Sequence, residues 1–184
     1  MRPSAPTAVA ATAINILKSV RAATLKADPK KARWGFTLAE RADRLRTFEK
    51  TRDMMPARFA RRAEHFYSEY RRVRQGVTAW ETGNLQLFGK LSFDSCESSM
   101  NNYECGSPEL ISIYKAMRGL EGVYGGRFSG AGFKGAVIAL VDPKYKEQVE
   151  RAVTERYLAE FPEYEHSFKT FWVKPDDGAR FVED

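Results

Sequence analysis

Over residues 57–80 apolar side chains return every three or four positions, at Phe59, Ala63, Phe66, Tyr70, Val73, Val77 and Trp80, with arginine and glutamate filling the other faces. That period predicts a long amphipathic helix. Pro56 stands before it, where a missing N–H costs little, and Gly83-Asn84 breaks it. A second helix is predicted over 85–96, and a third from Ser107-Pro108-Glu109, where a capping hydroxyl, a first-turn proline and an acid stand in order; Gly119 can end it. The stretch 123–128 reads as a strand, and 135–141 as another, with a glycine-rich loop between them. Asp142-Pro143 opens a further helix carrying Tyr145, Val149, Ala152, Val153 and Tyr157, and 168–173 supplies a closing strand. Residues 28–55 form a charged connector, partly helical around 38–48. Strands interleaved with helices predict an α+β sandwich, its helices stacked on one side of a small, mainly antiparallel sheet.

A chain of 184 residues with 43% hydrophobic content is one domain with one core. The longest oily run, 135–141, falls far short of the roughly 18 residues that cross a bilayer, so no membrane partner is expected. The formal charge of +6 comes from 30 basic against 24 acidic residues, a mixed surface compatible with phosphate ligands. Nucleic acid is a poor fit, because the basic residues are spread and 123–128 lacks an RNA-recognition pattern. Two cysteines, Cys96 and Cys105, do not make a disulfide framework and are expected as partly buried free thiols in a reduced compartment, the cytoplasm. His65 and His166 stand at no metal-ligand spacing to them, so no metal is expected. The first 27 residues carry Arg2, Lys18, Arg21 and Lys26 but no acid. Two readings of them stay open: an organelle transit peptide, or a first helix with Ile14, Leu17, Val20 and Leu25 on its packed face.

The chemistry concentrates in Ser129-Gly130-Ala131-Gly132-Phe133-Lys134-Gly135. Glycines there let the backbone take positive φ and approach a ligand closely, and successive N–H groups can converge on an anion. The spacing alone fits a tight hairpin equally well. It is not a Walker loop, since no Gly-Lys-Ser or Gly-Lys-Thr follows, and it lacks the strand-to-helix setting of a dinucleotide fingerprint.

The wider context adds to this. Residues 125–135, Gly-Gly-Arg-Phe-Ser-Gly-Ala-Gly-Phe-Lys-Gly, followed by an apolar strand, resemble the third sequence motif of the GHMP kinases in its galactokinase-like form. Upstream, Ala60-Arg61-Arg62-Ala63-Glu64-His65-Phe66-Tyr67-Ser68-Glu69, then Gly83-Asn84-Leu85, Phe88-Gly89-Lys90-Leu91 and Asn102-Tyr103-Glu104-Cys105-Gly106 are similar, in order and spacing, to the galacturonokinases. The resemblance runs from about residue 36 to the end and fades over 1–35, so a divergent segment 1–35 precedes a C-terminal GHMP domain at 36–184.

The resemblance implies a ferredoxin-like α/β sandwich forming part of an ATP- and Mg²⁺-dependent sugar-1-kinase that phosphorylates a monosaccharide or uronic acid. It places Ser129, Gly130, Ala131, Gly132, Phe133, Lys134 and Gly135 on the phosphate side of a cleft, and Asn102, Tyr103, Glu104 and Lys134 as candidates for the substrate side. The family's Gly-Leu-Ser-Ser-Ser-Ala type loop, its N-terminal sugar motif and its acidic catalytic residue do not occur here. Catalytic residues are thus expected on an N-terminal domain, and this chain alone is expected to be inactive. The face that would meet such a domain should be partly apolar and promote self-association. Other readings stand beside these: Lys134 as a solvated hairpin lysine, 102–104 as a plain cap and turn, and the chain as a non-catalytic sugar- or nucleotide-binding module. Arg58, Arg61, Arg62, Arg71, Arg72 and Arg74 are expected on the wet face of the long helix, with Glu64 and Glu69 as partners.

Overall fold

The computed structural model describes residues 38–174, with side chains from Leu45 onward. Helix α1 (Leu38–Thr51) runs through a 3₁₀ turn, Arg52–Met54, to Pro56, which caps α2 (Ala57–Glu81). Asn84, part of the predicted break, also starts α3 (Leu85–Ser98) by accepting the Leu87 amide at 3.0 Å. Without interruption α3 passes into a π turn, Ser99–Tyr103. Ser107 then caps α4 (Pro108–Met117), accepting from the Leu110 amide at 3.4 Å. Strands β1 (Val123–Ser129) and β2 (Ala136–Val141) pair antiparallel, with Phe128 opposite Val137 and Arg127 opposite Ile138. Asp142 caps a 3₁₀ turn, Pro143–Tyr145, that leads into α5 (Lys146–Glu160).

Two apolar clusters hold these elements together. Cys96 of α3, Leu110 and Tyr114 of α4 and Phe128 of β1 form one; Ala116 and Met117 of α4 with Val149 and Val153 of α5 form the other, against Val123, Val137 and Val141. Thus α4 and α5 cover one face of the hairpin. Against β1 lies α3, and the contact is made backbone to backbone. A Cβ on Gly89 would fall 2.0 Å from the Tyr124 carbonyl oxygen, and one on Gly125 would fall 2.0 Å from the Gly89 oxygen.

Two expectations are corrected. Residues 168–173 do not form a closing strand, so the sheet among the described residues has two strands. Instead Phe168 packs its ring 4.6 Å from that of Tyr157, while Thr170 and Trp172 donate side-chain hydrogen bonds to Glu150 of α5. The segment satisfies its side chains on a helix rather than its main chain on a ladder. Phe171 and Val173, the alternate positions, point outward.

The second correction concerns α2. Its buried positions are Ala60, Ser68, Gly76 and Ala79, while Phe59, Phe66 and Val73 of the predicted apolar stripe are 47%, 63% and 61% exposed. The residues buried against neighbouring elements are small ones, and Gly76 lies beside the Phe88 ring, with room for a Cβ at an ordinary 3.7 Å contact. The polar residues beside them bond to α3, so the oily stripe is turned away. The open readings of residues 1–27, the boundary at 35 and the connector before residue 38 lie outside the described residues.

The glycine contact sets a stability test. Gly89→Ala and Gly125→Ala should each cost about 3 kcal/mol or more, because backbone atoms cannot step aside as a flexible side chain can. Urea unfolding would measure it; a loss under 1 kcal/mol from both (~ the scale of a surface substitution) would show that the approach is not tight.

Candidate functional site

The hairpin loop is held at its midpoint. Gly130, Gly132 and Gly135 have φ of 80°, 80° and 112°, all in the region that favours glycine. Gly132 is buried, and a Cβ there would meet the Phe128 ring at 2.8 Å and Cys105 Sγ at 3.5 Å. The Ser107 amide donates to the Gly132 carbonyl at 2.9 Å, fixing the loop to the start of α4. Ser129, Gly130, Ala131, Phe133, Lys134 and Gly135 are all exposed, and Gly130 and Ala131 form a hydrogen-bonded turn. Main-chain amides at such a glycine-rich turn can converge on an anion.

The loop residues line neither of two cavities elsewhere: one of about 240 Å³ lies between α1 and α2, around Phe48, Glu64 and Tyr67, and one of about 330 Å³ lies over Ser68, Arg72, Ser98 and Asn102. Lys134 stands near Glu109 at the head of α4: the Glu109 carboxyl is held below its usual range by its own amide first, then by the Ser107 hydroxyl, with Lys134 the smallest contribution.

The second group of candidates ends the π turn. Asn102 donates to Ser98 Oγ at 3.2 Å, and the Tyr103 ring lies 5.2 Å from that of His65 and 5.9 Å from the Arg62 guanidinium. Glu104 pairs with both Arg61 and Arg62. The next residue, Cys105, touches the loop at Gly132, so both predicted groups meet at one end of the molecule. Among the described residues no three of His, Cys, Asp and Glu converge closely enough to hold a metal ion, so no step through Mg²⁺ is assigned to these side chains. Cys96 is buried and Cys105 half-buried, both free, with burial pushing both thiols up.

Sequence reasoning expected Glu69 as a partner of the helix arginines, as Arg72 bears out, but missed the hub it forms with α3 and β1. Glu69 of α2 accepts from Arg72 Nε at 2.6 Å, from Ser95 Oγ of α3 at 2.8 Å and from Arg127 Nη1 of β1 at 3.5 Å. Arg127 also donates to Ser95 Oγ at 2.6 Å. So Arg72 does not belong to the wet face; its side chain is 16% exposed. The one available signal was Arg127 itself, a lone charge in an otherwise apolar strand. Beside the hub, His65 Nδ1 lies 3.0 Å from Ser98 Oγ, and burial holds the imidazole below its usual range.

Removing Glu69 leaves two guanidiniums facing each other, so Glu69→Ala should cost roughly 2–4 kcal/mol in urea unfolding, and Glu69→Gln less. For His65 the folded-state pKa is lowered, so the unfolded chain binds more protons. Stability is full above the ordinary value of 6.5 and falls as pH drops from there through the folded value. The urea midpoint should decline on acidification below 6.5, and His65→Asn should flatten that decline; an unchanged slope would remove the assignment.

Comparison with known proteins places this geometry. Residues 77–159 match the family described as GHMP kinases C terminal, a span that includes α3, the π turn, α4 and the whole glycine hairpin. A galacturonokinase of Arabidopsis thaliana is 49% identical over 105 residues, covering 57% of this chain and 25% of that protein; the Bos taurus galactokinase is 32% identical over 139 residues, covering 75% and 33%. The crystal structure of Lactococcus lactis galactokinase complexed with galactose superposes with a TM-score of 0.60 at 25% identity, over 88% of this chain and 40% of that one. The chain thus spans between a quarter and a third of the length of these two curated relatives. By these matches the chain belongs to the galactokinase-like GHMP kinases and carries their C-terminal domain.

Proposed function

We propose that this chain serves as the C-terminal part of an ATP-dependent sugar-1-kinase acting in the cytoplasm on a monosaccharide, and more narrowly on a uronic acid. The observation that carries the narrower reading is its 49% identity to a galacturonokinase, against 32–39% to galactokinases. In this reading ATP, with Mg²⁺, supplies the transferred phosphoryl group. The amides of 130–135 receive its terminal phosphates, and the exposed Lys134 adds a cation for phosphate or uronate carboxylate. Asn102, Tyr103 and Glu104 lie toward the sugar. Phosphoryl transfer is mostly positioning and charge neutralisation, and the loop supplies only one wall for it. The opposite wall, with the residue that activates the sugar hydroxyl, falls to a companion N-terminal lobe. Because the loop lines neither of the two cavities described, a second reading is kept: a module that binds sugar or nucleotide without turnover.

The apolar stripe at Phe59, Phe66 and Val73 and the exposed Ile138 are the surfaces we assign to a companion lobe or to self-association. Sedimentation at high concentration tests this, and a monodisperse monomer counts against it.

Nucleotide binding is tested by thermal shift. ATP at a hundredfold its Kd should add about 2.7 kcal/mol. Gly130→Ala has open space for its Cβ but must hold φ of 80°, so it should cost about 1 kcal/mol of stability, keep the fold and lose most of that gain. No shift with ATP in the full chain sinks the kinase reading for this polypeptide alone. In a complete two-lobed enzyme, Lys134→Gly should weaken galacturonate use more than galactose use; equal effects would remove Lys134 from the substrate side.

A further inference from the structure

Three local irregularities meet at one place. Glu104 has φ of 64° and is the one non-glycine residue with positive φ among the described residues. A glutamate gains nothing from that backbone conformation, which glycine or asparagine adopts more easily. Immediately before it lies the π turn Ser99–Tyr103, a rare geometry that inserts an extra residue into the helix and is frequent at functional sites. Opposite stand two consecutive arginines whose Nη2 atoms take one carboxylate oxygen each, Arg61 on Oε1 and Arg62 on Oε2. Neighbours in a helix point about 100° apart, so two such side chains converge only when something holds them together.

We infer that Arg61 and Arg62 form a binding site for the phosphate or carboxylate group of a small ligand, with the Glu104 carboxylate as its displaceable internal occupant. Among the described residues the charge count leaves one cation over, since Glu64, the nearest acid on the same helix, is turned to Arg52 and Arg71. The three side chains are 41–45% exposed, so the pair is solvated and weakly held. A ligand phosphate with two charges and three acceptor oxygens matches two guanidinium forks better than one carboxylate does. Tyr103, 51% exposed and beside both Arg62 and His65, offers a ring wall, and Asn102 an amide. When the anion enters, Glu104 leaves and its strained turn is free to relax.

This deepens the substrate-side reading of residues 102–104 and rests on it for the class of ligand. The test is calorimetric titration of the full chain, at low salt, with inorganic pyrophosphate and separately with galacturonate. Glu104→Gln should bind at least one of them roughly tenfold more tightly than the natural chain, about the scale of one charge-assisted hydrogen bond. Adding Arg61→Gln or Arg62→Gln should abolish that gain. Glu104→Gly, which suits the backbone there, should show the same gain and secures the test if the glutamine variant folds poorly. Which probe responds tells phosphate from carboxylate recognition. Equal or weaker binding by both Glu104 variants, or a gain that survives loss of either arginine, overturns the proposal. A gain with pyrophosphate but no response to ATP would sink nucleotide binding by the hairpin of this polypeptide alone and leave this site standing.

Discussion

The approach of α3 to β1 governs the arrangement of everything else described. Two glycines, Gly89 and Gly125, let a helix and a strand meet with no side chain between them. Only at that separation does Ser95, two turns further along α3, reach Arg127, and only then can Cys96 enter the cluster with Phe128. Phe128 in turn forms the floor under Gly132. The position of the glycine hairpin thus descends from a contact made some distance away, through a strand that carries it rigidly.

Around that contact the molecule uses two kinds of adhesive for two jobs. On the side of α4 and α5 the hairpin is held by apolar burial, which is strong and tolerant of small shifts. On the side of α2 it is held by the Glu69 hub, whose hydrogen bonds are directional and add little net stability. The first kind decides that the domain folds. The second decides where α2, and with it Arg61, Arg62 and His65, stands relative to the loop and the π turn.

Much of this was legible in the sequence. The helices 57–80 and 85–96, the cap at Ser107 and the two strands announced themselves through period and punctuation, and the hairpin glycines do carry the positive φ values that their pattern suggested. What could not be read was partnership. The apolar stripe of α2 obeys helical periodicity perfectly, yet periodicity says that a face is oily and not what lies against it; the buried face proved to be Ala60, Ser68, Gly76 and Ala79. The same holds for 168–173, whose β-prone residues join no ladder and instead bond the Glu150 carboxylate. Glu104 was singled out by its neighbourhood in sequence, but its backbone strain and its two arginine partners, 42 and 43 residues away, belong to the fold alone.

That distinction bears on how the site acquires its chemistry. A loop that offers main-chain amides is generic: any anion of the right size satisfies it, and its selectivity is small. Selectivity must then come from side chains brought in by other elements. In this fold those side chains arrive on α2, whose orientation depends on the Glu69 hub, and on the π turn, whose extra residue swings Glu104 toward α2 rather than into solvent. Guanidiniums grip planar carboxylates and phosphates through paired donors, which a lone lysine at the hairpin edge does not match. The glycine hairpin can therefore be unselective while, at the site we infer, the choice of ligand falls to two arginines on a helix held by the half-buried Glu69 carboxylate.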